Sequence, residues 1–575
     1  MTGAPPDWSL PLLAAGARVR RQAALEWRGS SAADALRRRL AASGLAGAPR
    51  SFRPNDPERG EDLLEGRWSL AGAVLESGLT GDPWDQPSPT KRFAEALHRF
   101  TWLRDLLATG EPGAAEAARL FAGWDRAFGR WSAFSWSGPV MGRRVMELAC
   151  GARRLTEAMD EPGRRAFLAS LLRQADALSA DDGEPVGAAE RAAASAVAAA
   201  ALDGEPAART AARALSRLER ALEVTVLPDG GHRSRSPQAA LELLLDLQTL
   251  DDLLLQRGRE APKAVARAID RLGAAVRFFT LGDGRLAVFQ GGEAGARAAV
   301  AATQTEEDEA LRPRPFGFAP HSRYQRLQGS RLQMIADAGA PAAGVWSTAA
   351  CAQPLAIDVS ADGDRLITNG GWSPEAAGPL AWRLSGAGST VSLGDGSPGA
   401  PVASGVAGAL GPRLVGGARR VDARRNEVTG GVWLTLSHDG WAAGFGLVHE
   451  RRLFLDAAAD ELRGEDQLQP IGGRQTAPVP YAARFHLHPD VRASLARDGR
   501  SVLLTGPSER GWWFRNDSSD VQLEPSAVFE DGLPRRTIQI VLRGQARGGF
   551  GARVRWKLAP AGSDAPRPPA PETML

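Results

Sequence analysis

The spacing of apolar residues changes once along this chain, from three-and-four to two, and one kind of layer cannot satisfy both. From about residue 88 to 282 the period is helical. Ser88-Pro89 offers an N-cap with proline at the first helical position. Phe93, Leu97, Phe100, Leu103 and Leu107 then recur on one face until Gly110. Similar units are predicted near 114–129, 139–158, 162–181, 187–203, 206–226, 237–257 and 262–280. Helices of this length joined by short turns imply antiparallel hairpins, and eight or more of them imply a closed or curved array.

After about 283 the period is two. Leu286–Gln290, Gly431–Ser437, Gly444–His449, Arg451–Leu455, Ala483–His488, Ser501–Thr505, Gly511–Arg515, Thr537–Arg543 and Arg553–Lys557 read as strands between turn residues. So many short strands imply an antiparallel sandwich. The expected division is a helical domain over 1–302, a charged, proline-bearing linker over 303–320, a sandwich over 321–560 and a disordered tail over 561–575.

Composition excludes several classes. Seventy basic against sixty-seven acidic residues leave a net charge of +3, so no global field points to nucleic acid. Two cysteines, Cys150 and Cys351, allow neither a disulfide framework nor a cysteine-rich zinc module. No run of eighteen apolar residues offers a membrane span. The apolar patch Leu10–Ala17 precedes its arginines instead of following them, the wrong polarity for a secretory signal.

Proton-transfer candidates are few, because the chain has seven histidines and two tyrosines. His232, Arg233 and Arg235 lie in the segment Leu227–Gln238, between two helices and next to the N-terminus of the second. Two readings stay open there: a capped loop with solvated arginines, or an anionic-substrate site at the mouth of the helical array. His486 and His488 share one face of a strand, and with His438 they form a weak metal-site candidate set; a structural role is the alternative. No cofactor is otherwise expected. Among sixteen tryptophans, most are expected in the core, and a few such as Trp136 could stack on sugar rings beside arginines.

The stretches DGGHRSRSP (229–237), RFFTLGDGRLAVFQGG (277–292), HSRYQRL (321–327), LSHDGW (436–441), FGLVHERRLFL (445–455), LRGEDQL (462–468) and RFHLHPDVRASLARDGRSVLL (484–504) resemble the heparinase II/III-like polysaccharide lyases, particularly an alphaproteobacterial-type branch. The resemblance implies an N-terminal (α/α) toroid followed by an antiparallel β-sandwich. It also implies β-elimination on a uronate-containing glycan. That reaction needs a base at the carbon alpha to the carboxylate, a neutraliser for the enolate-like charge and an acid for the leaving oxygen.

Carried onto this chain, the resemblance implies His232 as base or neutraliser, Tyr324 as acid, and Arg233, Arg235, Arg144, Asn369 and Trp136 around the substrate. The chain also departs from the family pattern. Glu147 stands where relatives carry asparagine, and Gln238, Ala239 and Ala240 stand where many carry tyrosine and histidine. Cys351 and Gly388 stand at two further histidine positions. A lyase and a catalytically altered member that binds acidic polysaccharide are therefore both implied, with Glu147 the decisive substitution. The resemblance points to the bacterial cell envelope or periplasm; the N-terminus leaves the cytoplasm open.

Overall fold

The computed structural model describes all residues except 1–8, 31, 34, 36–39, 80, 180–184, 305–314, 373–379, 403–404, 472–476, 531, 548–549 and 563–575. The expected disordered tail falls, from 563 onward, outside the described residues, as does most of the expected linker.

Helices occupy most of the chain to residue 301. They form two layers. Gly138–Glu157, Ala188–Ala200 and Pro237–Gln256 pack on one another, and Glu161–Ser179, Glu205–Thr225 and Lys263–Phe279 cover them from outside. The alanine run has its reason here. Every residue from Ala192 to Ala200 is buried, because mostly methyl-sized side chains let one helix approach four neighbours closely. Pro237–Gln256 instead fills its layer with leucines, and Ser236 caps it by accepting from the Ala239 amide.

Two local expectations are corrected. The first helix expected from the spacing begins at Lys91, capped by the Thr90 hydroxyl rather than by Ser88, and Phe100 in a left-handed conformation breaks it before Leu103–Ala108. Between Pro57–Leu64 and this helix the chain forms a small antiparallel hairpin, Arg67–Leu70 with Ala73–Glu76, which the helical period did not announce.

Beyond residue 317 two antiparallel sheets face each other. One has eight strands, running from Val421–Val428 at one edge through 431–438, 447–456, 461–470, 552–560, 511–516 and 502–505 to Arg492–Leu495. The other has nine and runs from Asp520–Glu530 through 533–546, 479–487, 364–368, 357–361, 332–337 and 324–328 to Phe318–Ala319, with Val391–Leu393 paired to the third. Leu434, Leu453, Leu462, Phe485, Phe514, Ile540 and Trp556 fill the space between them. The segments expected as Gly444–His449 and Arg451–Leu455 are one strand, Leu447–Asp456, whose side chains alternate between buried and half-buried without a break. Leu286–Gln290 is not a strand: it makes a single bridge, Thr280 to Leu286, and its Val288 amide donates to the Asp358 carboxylate at 2.8 Å.

Candidate functional site

The loop after Glu205–Thr225 is fixed by its own sequence. Gly230 takes φ 84°, and its backbone lies so close to Arg271 that a side chain would collide with that carbonyl. The Asp229 carboxylate accepts from the amides of Gly231, His321 and Ser322 and from the Ser322 hydroxyl. One aspartate thus ties the helical half to the first strands of the sandwich. Arg235, held at φ 67°, completes the seam. Its guanidinium donates to the carbonyls of Ser322, Arg323, Gly339 and Ala340 and to both oxygens of Asp337.

Next to this seam lies a cavity of about 380 Å³ lined by Leu227, Arg233, Arg235, His321, Ala342, Ala343 and Trp346. Among the described residues its lining has no carboxylate. Arg233 is exposed, and among the described residues its guanidinium has no partner. Arg235 lines the same cavity but is spent on the seam, so the expectation of a second carboxylate clamp there is corrected.

His232 lies behind the cavity, 4% exposed, with its ring edge-on to Trp346 at 5.7 Å between centroids. Its Nδ1 accepts from the Ser234 amide at 3.1 Å and meets the Ser234 hydroxyl at 2.7 Å. An amide N–H can only donate, so the neutral ring carries its proton on Nε2. That atom has no hydrogen-bond partner and faces Glu190 Oε1 at 3.6 Å. A neutral His232 therefore has no free lone pair with which to take a proton.

The other residues implied by the resemblance are occupied. Tyr324 is fully buried, its ring between Phe279 and Phe289 and under the Arg235 guanidinium, and its hydroxyl donates to the Arg235 carbonyl at 2.8 Å. Burial pushes its phenol well above the ordinary value, and Arg235 only partly opposes this. Tyr324 is corrected from acid to seam residue. Asn369 donates to Val288 and Ile357 and accepts from the Ser389 amide, which uses its amide on backbone. Arg144 lies in the helical core on the Trp124 ring, bonded to Gln174 and the His98 carbonyl. Trp136 is 3% exposed and offers no face to a sugar.

Glu147 does not join His232. Arg104 donates to it at 2.7 Å, and it belongs to a charge cluster in the helical layers with Arg53, Arg143, Glu242 and Asp246. Arg53 and Arg143 each pair with both Glu242 and Asp246. Although burial opposes it, these two arginines hold the Glu242 carboxyl down to about 2. The arginines of this cluster are thus neutralised by the chain's own acids.

At Gly388 an added Cβ would come within 2.9 Å of the Gln353 side chain, which donates to the Trp382 and Leu384 carbonyls. Glutamine fills the space that a histidine at 388 would need. Cys351 is buried with its sulfur 3.7 Å from the Ala349 carbonyl, and burial pushes its thiol up to about 11.

The metal candidates do not converge. His486 bonds to the Ser526 hydroxyl and the Gly386 carbonyl, and His488 faces Asp490 and Glu530. His438 accepts from the Gly440 amide and meets His449, which bonds to Asp466, itself gripped by Arg451 and Trp556. Among the described residues no group of three such side chains could hold a metal ion. No helix among them is long and apolar enough to cross a membrane.

Sequence reading missed Glu190, Trp346 and Asp337 as parts of this region: none sits in a motif, and each arrives from a distant segment. His321 lies in the motif stretch HSRYQRL but carries no assigned role there.

Residues 311–557 match the family model described as Heparinase II/III-like, C-terminal. FtsZ-localized protein C of Caulobacter vibrioides (strain NA1000 / CB15N) is 50% identical over 524 residues, 90% of each chain. Among solved structures, Heparinase III superposes with a TM-score of 0.68 at 14% identity, over 92% of this chain and 89% of its own. A heparan sulfate lyase HepC mutant from Pedobacter heparinus gives 0.56 at 15%, over 90% and 86%. The Streptomyces coelicolor A3 chondroitin AC lyase, solved with chondroitin sulphate, gives 0.53 at 13%, over 88% and 79%. At these identities the structural likeness concerns the fold, a helical toroid followed by an antiparallel sandwich.

Proposed function

Because this chain belongs to the heparinase II/III-like family, we propose that it binds an acidic, uronate-containing glycan at the seam of its two halves without eliminating it. One observation carries the reading: among the described residues the cavity has no carboxylate, and it holds Arg233, which has no partner among them, beside His321 and Trp346. A guanidinium fork grips a carboxylate or sulfate, and an indole with two alanine methyls offers apolar surface to a sugar ring. The groups that elimination would need are engaged elsewhere. The Tyr324 proton is committed to the Arg235 carbonyl, and both ring nitrogens of neutral His232 are unavailable as bases.

The competing reading is an active lyase at the same seam. It is favoured by His232 Nε2, a buried donor with no hydrogen-bond partner, which could neutralise charge developing on a substrate. One panel separates the two. Heparan, alginate, hyaluronate and bacterial capsule are each titrated calorimetrically while ultraviolet absorbance is followed for the 4,5-unsaturated uronate that elimination creates. Binding without a chromophore supports our reading, and a growing chromophore supports the lyase. For the cellular setting we carry over the half-identical relative's localisation with FtsZ, in preference to the periplasm; a fluorescent fusion that fails to follow FtsZ would reject this.

A further inference from the structure

Glu190 stands in the first turn of Ala188–Ala200, and its side chain is a quarter exposed. Its Oε2 is buried and, among the described residues, has no hydrogen-bond partner. The other carboxylate oxygen, Oε1, faces His232 Nε2, which is likewise buried and without a hydrogen-bond partner among the described residues, and the ring itself is 96% buried against Trp346. The Ser234 amide assigns the proton to Nε2, so one orphan is a donor and the other an acceptor. The nearest approach of the two side chains, 3.6 Å, is too long for a direct hydrogen bond. An orphan donor and an orphan carboxylate oxygen on neighbouring buried side chains carry a desolvation cost unless a third group meets them.

A single hydroxyl oxygen meets both needs. At about 2.8 Å from each atom it accepts from Nε2–H and donates its own hydrogen to the carboxylate. An ammonium would leave the Nε2 donor unmet, and a second carboxylate would face Glu190. His232 packs edge-on against Trp346, which lines the Arg233 cavity, so a saccharide held by Arg233 sits on the other side of one indole from the pair. We propose that Glu190 and His232 form a hydroxyl-reading subsite beside the Arg233 carboxylate clamp, selecting a neutral hydroxyl of the bound glycan. This rests on the glycan-binding reading and extends it to a residue in the helical layer.

The test uses the full chain and hyaluronate tetrasaccharide as probe, with Kd measured for wild type, Arg233→Gln, Glu190→Gln and His232→Gln. Thermal unfolding confirms that each variant folds, and the His232 ring-nitrogen resonance is followed on titration. We expect Glu190→Gln and His232→Gln each to weaken binding about tenfold, as the loss of a hydrogen bond to a charged or buried partner does. The His232 Nε2 signal should also shift in wild type as probe is added. If the probe binds and Arg233→Gln weakens it while Glu190→Gln and His232→Gln stay within twofold and the signal is still, the gap holds water only and the subsite is overturned. If wild type binds neither this probe nor any glycan of the panel, the glycan-binding reading itself falls.

Discussion

Tyr324 and Asp466 show how far a residue's chemistry depends on what already holds it. Tyr324 looks like an acid in a list of titratable groups, yet its proton is spent on the Arg235 carbonyl. Tyr324→Phe should therefore cost about 1 kcal/mol of stability in urea unfolding and leave glycan affinity unchanged; a tenfold loss of affinity would return Tyr324 to the site. Asp466 accepts from His449, from Arg451 through two nitrogens and from Trp556, all inside the sandwich. Asp466→Asn leaves the fully buried Arg451 without its counter-charge, and about 3–5 kcal/mol should be lost in the same measurement. An unfolding midpoint equal to wild type would contradict that network.

At the scale of elements, four histidines make the fold sensitive to acid. Burial, with Arg144 adding to it, pushes His98 down to about 4, and burial with Arg484 does the same to His486. His438 and His449 are lowered too, chiefly by burial. Each ring is neutral in the fold but titrates near 6.5 in the unfolded chain, so acid protonates the unfolded chain first. Their contribution is whole above about pH 6.5 and is lost as pH falls towards about 4. Unfolding free energy from urea titrations should drop on the order of 3 kcal/mol or more between about pH 7 and pH 4.5, and a flat profile would contradict it.

Elements were largely legible in the sequence, because burial on one face writes its period into the chain. The helices Gly138–Glu157, Glu205–Thr225 and Pro237–Gln256 lie within a residue or two of the spacing. Leu286–Gln290 misled because it alternates for another reason. It threads between the two halves, and its amide at Val288 is met by a side chain instead of a strand. Asp229, His232 and Arg233 were legible through the glycine turn and the loop's charge. Glu190, Trp346 and Asp337 were not, since tertiary contact alone brings them there.

The whole molecule depends on the seam. Asp337 receives Arg235, the Gln290 amide and the Gly339 amide, while Arg326 reaches the Phe278 and Thr280 carbonyls and Arg365 pairs with Asp283 and Asp358. The toroid and the sandwich should therefore unfold together. Asp337→Asn, which removes the counter-charge of Arg235, should split one calorimetric transition into two; a single transition at the wild-type temperature would show that the Asp337–Arg235 ion pair does not carry the coupling. The same seam carries the central claim, that this fold binds acidic glycan without eliminating it. The most direct test is one cuvette in which a glycan shown by calorimetry to bind is incubated with the full chain while the unsaturated uronate is followed in the ultraviolet. The account predicts saturable binding that Arg233→Gln weakens about tenfold or more, with no rise in absorbance. A steady rise that depends on His232 would contradict it and make the chain a working lyase.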